Sequence, residues 1–289
     1  MTPFELLEPR SLRKAAALID TDEPAVRPMG GGTALMLMMK MGVLRPSRLV
    51  SLRAVEKRYA RISAAKEGGL RIGAMATLSA IERAPAVRRE APVIVETLRT
   101  LSNVRVRNVA TLGGHLAHAD PHLDLPPVLI ALGASIETVN AGGGRTLGLD
   151  ELYAGYLETT LARGELIAEV IIPRQRPRRA AYLKCTTRSA DDWPALGIAV
   201  ALDADGEAVR EARVVLSAAT DTPTRLAQTE AALRGARMSD ALLREAGDIA
   251  AREARVLGDA HGSAAYKREL LRVYTGRAIR KAWDGRDGR

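Results

Sequence analysis

The sequence predicts an α+β protein built from two unlike parts. Its first fifty residues alternate short apolar runs with helical segments, which is typical of a small parallel sheet. Short β-rich runs joined by glycine-containing turns are prominent from there to about residue 173. The remainder reads as three strands followed by three helices. This change of pattern predicts an N-terminal domain and a smaller C-terminal domain.

The opening segment is predicted to be a β-α-β-α-β unit with parallel strands. Ser11 is placed as the N-cap of its first helix, since a serine hydroxyl can accept from a free N–H group of the first turn. The predicted strands are Phe4–Leu7, Ala25–Met29 and Arg48–Ser51, and the second helix is Ala34–Met41.

The middle segment is predicted to contain two hairpins and several helices. The hairpins are Arg61–Ala65 with Leu70–Gly73, and Ser135–Val139 with Arg145–Leu147. Further elements are a helix capped by Thr77, a helix over Pro92–Leu101, a helix capped by Asp124 and stopped at Gly133, and a strand over Leu166–Ile172.

A basic segment, Arg174–Arg179, is predicted to be a linker, so we place the domain boundary between residues 176 and 177. Domain 1–176 precedes it and domain 177–289 follows it. The predicted C-terminal elements are strands Tyr182–Thr187, Gly197–Leu202 and Val209–Ala218, and helices Leu226–Arg234, Asp240–Val256 and Ala264–Ala282.

Composition narrows the class of function. The chain has 289 residues, 47% of them hydrophobic and only 3% aromatic, so a bound cofactor would be held mainly by backbone groups. The net charge of +9 arises from Lys and Arg interspersed with Asp and Glu, a pattern that disfavours nucleic-acid binding. A single cysteine, Cys185, excludes an internal disulfide and an iron–sulfur cluster held by this chain's own cysteines.

Nothing in the sequence predicts a membrane segment. Met1–Arg10 has acidic residues and prolines but no apolar run, so we expect neither a signal peptide nor an anchor there. No later stretch approaches the roughly 20 apolar residues of a membrane-spanning helix. We therefore expect a cytoplasmic protein that does not span a membrane.

A glycine segment, Gly30–Thr33, lies between a predicted strand and a predicted helix. This arrangement suits a phosphate group, because glycines let backbone N–H groups approach an anion at a helix N-terminus. The segment lacks the P-loop ending and the dinucleotide-binding spacing, so by itself it is equally consistent with a flexible turn. A second glycine pair, Gly113-Gly114, predicts a second such loop, and two loops suit a pyrophosphate.

The stretch Thr111–Asp124 concentrates polar chemistry, including His115, His118 and His122 with Asp120 and Asp124. These residue types can bind zinc. Glycines and a proline interrupt the stretch, however, so the imidazoles are not expected on one helical face, and we predict no metal site.

The remaining candidates carry less specific signals. His122 is expected to be a satisfied surface or loop histidine, and His261 to be structural. Lys184, on a predicted strand, reads by itself as a solvated residue. Cys185 reads as a small apolar residue, because no motif surrounds it.

Together these motifs resemble the FAD-binding medium subunit of the molybdenum hydroxylases, the family of xanthine dehydrogenase and aerobic carbon monoxide dehydrogenase. The resemblance covers almost the whole chain, and its longest motif is the second glycine stretch. It rests on Gly30–Ala34 with Met38–Lys40, Thr111–His115 with Ala119–Pro121 and Asp124–Pro126, Thr222–Arg225, Glu230–Gly235, Tyr266–Arg268, and Arg277 with Ala278.

The resemblance implies a two-lobed FAD-binding domain of the vanillyl-alcohol-oxidase type, followed by a C-terminal domain of a small antiparallel sheet packed with helices. The first lobe would span residues 1 to about 55, and the second about 56 to 176.

The resemblance also implies which residues bind FAD. Backbone amides of the two glycine segments would hold the pyrophosphate, Asp124 would reach a ribose or ribityl hydroxyl, and Lys184 would favour negative charge on the flavin. The loop Cys185–Trp193 would border the flavin. The implied cofactor-binding residues are Arg27, Pro28, Met29, Gly30, Gly31, Gly32, Thr33, Ala34, Thr111, Gly113, Gly114, His115, His118, Asp120, Asp124, Ile167 and Lys184.

Two positions depart from the family pattern. Position 115 is often Asn in the family and is His115 here, and Ala34 replaces the usual polar residue. Both can act through the backbone, so FAD binding is expected to survive.

The function implied is an oxidoreductase subunit that passes electrons from an iron–sulfur subunit through FAD to an external acceptor. Molybdopterin and [2Fe-2S] clusters would reside on the large and small partner subunits of a cytoplasmic heterotrimer, itself expected to form a dimer of heterotrimers. An alternative is a self-contained FAD-dependent oxidase or reductase, and a third is a basic protein that binds polyanions without a cofactor. The substrate and the acceptor are not fixed by this sequence.

Overall fold

The computed structural model describes residues 2–175 and 179–285. The first lobe alternates strands and helices: β1 (Glu5–Leu7), α1 (Leu12–Ile19), β2 (Val26–Met29), α2 (Thr33–Lys40) and β3 (Arg48–Ser51). Its strands pair in parallel in the order β1-β3-β2, which confirms the predicted unit. Ser11 caps α1 as predicted, because its Oγ accepts from the backbone N–H of Lys14 at 3.0 Å.

The second lobe is an antiparallel sheet, of order β4-β5-β10-β6-β7, packed with short helices. Both predicted hairpins are confirmed, whereas the helices Pro85–Glu90 and Val104–Arg107 and the ribbon of Tyr153–Gly155 with Glu158–Thr159 had no sequence prediction. Its elements are β4 (Ile62–Ala64), β5 (Leu70–Gly73), α3 (Leu78–Arg83), α4 (Pro85–Glu90), α5 (Pro92–Arg99), α6 (Val104–Arg107), α7 (Leu112–Ala117), α8 (Leu125–Ala131), β6 (Ser135–Val139), β7 (Thr146–Gly148), β8 (Tyr153–Gly155), β9 (Glu158–Thr159) and β10 (Leu166–Ile172), with short 3-10 helices at Lys57–Ala60 and Leu149–Glu151.

The C-terminal part is an antiparallel sheet of order β11-β12-β13-β14 followed by helices. The predicted strands and helices are confirmed with two changes of bounds: the first strand spans Arg179–Cys185 rather than Tyr182–Thr187, and the helix from Asp240 ends at Glu253 rather than Val256. Its elements are β11 (Arg179–Cys185), β12 (Leu196–Asp205), β13 (Ala208–Ser217), β14 (Thr224–Arg225), α9 (Ala227–Leu233), α10 (Asp240–Glu253) and α11 (Ala264–Asp284).

The C-terminal sheet is covered on both faces. Because strand side chains alternate between faces, neighbouring residues of β12 enter different cores: Ala199 packs with the second lobe, and Val200 packs with α9, α10 and α11. Tyr182 on β11 likewise enters the second-lobe core. The second lobe and the C-terminal sheet therefore share a core, and this fixes which side chains of β11 face the second lobe.

The predicted linker Arg174–Arg179 and the boundary between residues 176 and 177 depend on residues 176–178, which lie outside the described residues. Within residues 2–175 and 179–285, no helix has both the length and the apolar character needed to cross a bilayer.

Candidate functional site

The first glycine segment follows β2 and packs directly on the chain before α7. A Cβ atom on Gly30 would lie 2.6 Å from Oγ1 of Thr111, and one on Gly31 would lie 2.1 Å from the carbonyl oxygen of Val109. Gly32 has φ +72° at the N-cap of α2, a conformation that favours glycine. A larger residue at Gly31 would have to displace backbone, so the contact between the two segments requires glycine.

The second glycine pair does not form the predicted loop, since it lies in the first turn of α7. Thr111 caps this helix by accepting from the N–H of Gly114 at 3.3 Å, and the N–H of Gly113 donates to the carbonyl of Ala74 at 2.7 Å. A Cβ on Gly113 would lie 2.7 Å from that of Ala74, whereas Gly114 is exposed. Gly113 therefore anchors α7 against Ala74. Gly114 leaves the solvent-facing side of α7 without a side chain at the point next to Gly30.

Backbone donors are available where the two segments meet. Within the part of the chain that the structure describes, the N–H groups of Gly30, Gly31 and Gly32 donate no hydrogen bond to protein. The N–H groups in the first turn of α2 also lack intrahelical acceptors, as at every helix start. Together with the helix dipole, these donors favour a negatively charged group such as a phosphate.

The other predicted contacts of this region are placed around it. Arg27 and Pro28 are exposed on β2, an edge strand, and Met29 lies half-buried beside Gly32. Ala34 is half-buried in the first turn of α2. Ile167 is a core residue of β10, next to a bulge where the carbonyl of Ala168 accepts from the N–H of Ala74. Direct contact of these residues with a cofactor stays a prediction.

His115 and His118 lie on and just after α7, and both favour the neutral form. Burial, with a smaller contribution from His118, lowers the pKa of His115 to about 3. Its Nε2 atom is inaccessible and has no hydrogen-bond partner among the described residues. Burial also lowers the pKa of His118. In residues 2–175 and 179–285, no three His, Cys, Asp or Glu side chains are arranged to hold a metal ion.

His122 lies in the turn between α7 and α8 and is hydrogen-bonded, as predicted for a satisfied loop histidine, but its side chain is largely removed from the surface and only 13% exposed. Its Nδ1 lies 3.0 Å from Oδ1 of Asp120, and its Nε2 lies 2.9 Å from Oδ2 of Asp259. Burial acts to lower the pKa of His122, but the bonds to the two carboxylates together raise it above the usual value. His261 contacts the His122 ring and lies in a turn before α11.

Asp124 and Lys184 form a buried ion pair. Nζ of Lys184 lies 3.0 Å from Oδ2 of Asp124, and the hydroxyl of Tyr182 donates to Oδ1 at 2.7 Å. Lys184 also donates to the carbonyls of Thr100 at 2.8 Å and Asp192 at 3.2 Å. These three acceptors match the three ammonium hydrogens, so the prediction of a solvated Lys184 is wrong.

The same contacts correct the predicted role of Asp124 in α8. It occupies the N-cap position, but its side chain makes no capping hydrogen bond because its carboxylate faces Lys184 and Tyr182. Burial raises the pKa of Asp124, and the Lys184 ammonium and the Tyr182 hydroxyl offset part of that rise.

Sequence reasoning missed Tyr182 and Thr100. A signal existed for Tyr182, because residues two apart on a strand share a face and Tyr182 precedes Lys184 by two. Thr100 contributes a backbone carbonyl at the end of α5, and a main-chain contact of this kind has no residue-type signal.

The family described as the FAD binding domain in molybdopterin dehydrogenase matches residues 2–175 of this chain. The chain belongs to that family. The CO dehydrogenase flavoprotein C-terminal domain matches residues 181–282. The expected family, the FAD-binding character and the oxidoreductase class are therefore confirmed.

Individual relatives are similar over nearly their whole length. The glyceraldehyde dehydrogenase medium chain of Sulfolobus acidocaldarius is 28% identical, covering 96% of this chain and 98% of its own. The nicotine 6-hydroxylase medium subunit of Paenarthrobacter nicotinovorans is 31% identical, with 95% of both chains covered.

A solved structure of carbon monoxide dehydrogenase from Hydrogenophaga pseudoflava contains a chain with the same fold. The TM-score is 0.93 at 29% identity, covering 98% of this chain and 99% of that one. The expected fold class is thereby confirmed.

The residues present fit a flavin dinucleotide at its pyrophosphate. Two chain segments meet at glycines, one of them exposed, and unpaired N–H groups lie in the first of them. Two adjacent phosphates need donors from more than one direction, and this junction of two helix starts offers them. The small aromatic content agrees with binding through the backbone rather than through stacking.

Proposed function

We propose that this chain is the FAD-binding electron-transfer subunit of a molybdenum hydroxylase complex. The observation that carries the proposal is the junction of the first glycine segment with the start of α7. There Gly30 lies against Thr111 while the neighbouring Gly114 remains exposed. Family membership supplies the cofactor, and this junction is the place in the chain best suited to its pyrophosphate.

The proposed binding residues divide by role. Gly30–Ala34 and Thr111–His115 would hold the pyrophosphate through backbone N–H groups, with Arg27, Pro28 and Met29 at the entry to the first segment. His118 and Asp120 would flank the second segment, and Ile167 would supply an apolar contact. Asp124 would accept from a sugar or ribityl hydroxyl through the lone pairs that Tyr182 and Lys184 leave free.

Bound FAD would accept electrons from a reduced partner and pass them to an external acceptor, since such redox chemistry belongs to the cofactor. The chain itself binds and orients. The positive charge of Lys184 is largely offset by the carboxylate of Asp124, and its three N–H groups already have acceptors. Its effect on the flavin would therefore be electrostatic and would not come from a free hydrogen-bond donor. The chain's single cysteine cannot hold a cluster, which supports iron–sulfur centres on another subunit.

We further propose a large molybdopterin subunit and a small [2Fe-2S] subunit as partners, assembled as a dimer of heterotrimers in the cytoplasm. Support comes from relatives that are named medium chains or subunits and that match this chain over at least 95% of its length. A boundary between residues 176 and 177 is supported by the gap between the two family matches, which end at 175 and begin at 181.

Purification of the full chain tests the proposal. We expect flavin absorbance, or uptake of added FAD followed by fluorescence quenching. Gly114→Val should abolish retention, because the side chain would fill the exposed face of α7, while Ala117→Val, at another exposed position of this helix, provides a control. A chain that carries no flavin and takes up none would contradict the proposal.

Co-purification separates the proposal from its alternative. Large and small subunits recovered with the tagged chain would support the relay. Steady turnover of a small substrate by the chain alone would favour a self-contained FAD-dependent oxidase or reductase.

A further inference from the structure

A closed circuit of hydrogen bonds joins the stretch Thr111–Asp124 to the C-terminal domain. The carbonyl of Pro121 accepts from the N–H of Ala218 at 2.9 Å, and the carbonyl of Ala218 accepts from Nζ of Lys267 at 2.7 Å. Lys267 continues to Oδ2 of Asp259 at 2.5 Å, and the same oxygen faces Nε2 of His122 at 2.9 Å. His122 is the residue after Pro121, so the circuit returns to its start.

The charge state of His122 decides whether both contacts of its ring with carboxylates are attractive. Both ring nitrogens face carboxylate oxygens, Nδ1 toward Asp120 and Nε2 toward Asp259. A neutral imidazole has one N–H and one lone pair, so one of these contacts would set a lone pair against a carboxylate. An imidazolium donates to both. With Lys267, the four side chains then carry two positive and two negative charges, which balance.

Other charged, titratable and aromatic groups that the structure describes near His122 come from several elements. His118 approaches Asp120 from the end of α7, and His261 stacks at a tilt with ring centroids 5.1 Å apart. Lys267 reaches in from α11 with a fully buried side chain. Trp193, in the loop between β11 and β12, contacts the ring edge-on at 5.6 Å. His122, in the stretch Thr111–Asp124, therefore contacts the C-terminal domain at two places, the turn at Asp259 and His261 and the loop of Trp193.

We propose that His122, as an imidazolium, is a positioning residue that fastens the Asp120–Asp124 segment to the C-terminal domain, so that FAD retention weakens when the ring loses its proton. The cofactor part of this inference rests on the proposed function, whereas the fastening itself does not. Within the circuit His122 is the member whose charge changes near neutral pH in proteins.

The direction of the pH effect follows from the raised pKa of His122. A group whose folded-state pKa is raised stabilises the fold fully below its unfolded pKa, which is about 6.5 for histidine. That stabilisation is lost as the pH rises through the folded-state value. The fastening is therefore complete below about pH 6.5 and is released as the pH rises through the folded-state pKa of His122.

The first experiment uses the full chain without FAD. Trp193 and Trp283 are its two tryptophans, so Trp283→Phe leaves Trp193 as the reporter. An adjacent imidazolium quenches indole fluorescence, so we expect emission to rise with a single transition above pH 6.5, together with a fall in the thermal unfolding temperature. His122→Gln should remove both transitions. His261→Gln should keep them, because His261 bonds Asp259 through its backbone N–H.

A second variant guards against misfolding of His122→Gln. Asp259→Asn removes the charge facing Nε2, so the Trp193 transition should move to lower pH. An unchanged transition in Asp259→Asn, or one that persists in a folded His122→Gln chain, would overturn the proposal.

The second experiment measures the dissociation constant of FAD at pH 6 and pH 9. We expect several-fold weaker binding at pH 9 in the parent and in His261→Gln, and equal binding at both values in His122→Gln. The same pH ratio in His122→Gln as in the parent would overturn the positioning role while leaving the proposed function intact. Failure to bind FAD at either pH would contradict the proposed function, and the fluorescence transition would still decide the fastening.

Discussion

Nζ of Lys184 lies 3.0 Å from Oδ2 of Asp124, and the two side chains are only 7% and 6% exposed. Lys184 belongs to the C-terminal sheet and Asp124 to the stretch Thr111–Asp124, so a buried ion pair joins the two domains close to the proposed flavin site. Tyr182 completes it with a hydroxyl bond to Asp124. Loss of the ion pair should therefore weaken the contact between the two domains and disturb the conformation around Asp124.

Lys184→Met should destabilise the chain strongly. It removes the cation and leaves the Asp124 carboxylate buried without a counter-charge, a change that typically costs about 3–5 kcal/mol. Chemical denaturation at pH 7 measures the loss. Lys281→Met provides the matched control, because Lys281 also bridges the domains, 3.7 Å from Glu96, but is 46% exposed. Such a surface pair contributes about 0–1 kcal/mol, and an equal loss in both variants would refute the assigned role of burial.

Gly31→Ala and Gly114→Ala should have different consequences. A Cβ on Gly31 would lie 2.1 Å from the carbonyl oxygen of Val109, so we expect loss of the segment packing and of FAD binding together. On Gly114 a Cβ would meet only Oγ1 of Thr111, at 3.0 Å. We expect the unfolding temperature of the flavin-free Gly114→Ala chain to stay near that of the parent while FAD affinity falls. Similar unfolding temperatures for both variants would contradict this division.

His115 should make the chain less stable in acid. Burial lowers its pKa to about 3 in the folded state, whereas an unfolded histidine binds a proton near pH 6.5. Stability therefore falls as the pH drops from about 6.5 toward 3, the opposite sign to His122. His115→Asn should narrow the difference between unfolding free energies measured at pH 8 and pH 4.5, and His261→Asn should not. Because the contact proposed for position 115 is made by its backbone N–H, we also expect His115→Asn to retain FAD.

Several features of the fold followed directly from local sequence patterns. Ser11 and Thr77 cap the helices that they were predicted to cap, because an N-cap hydroxyl accepts from a backbone N–H only three residues further on. The hairpin at Gly68-Gly69 and the glycine segment between β2 and α2 were predicted from their glycines. Gly68, Gly69 and Gly32 have positive φ, a conformation that favours glycine.

The candidate site was harder to predict where its partners are distant in sequence. The expected loop at Gly113-Gly114 became a helix start because Thr111 caps it and Gly113 bonds Ala74. Asp124 does not cap α8 through its side chain because Lys184 and Tyr182, about 60 positions later, take its carboxylate. The second carboxylate beside His122 was not predictable, because Asp259 is 137 positions away in sequence although its Oδ2 lies 2.9 Å from Nε2 of His122.

The sequence by itself determined the family, the parallel first unit, the hairpins and the two glycine stretches, since these depend on residue types at short, fixed spacing. Only the tertiary structure decided that Gly30 lies against Thr111, that Lys184 is buried against Asp124 and that His122 is held between two carboxylates. The physical reason is the shared core. Packing of the second lobe on one face of β11, β12 and β13 brings polar groups that are distant in sequence together, away from water. There the pKa of each group depends on its burial and on its charged partners, which a residue type alone does not reveal.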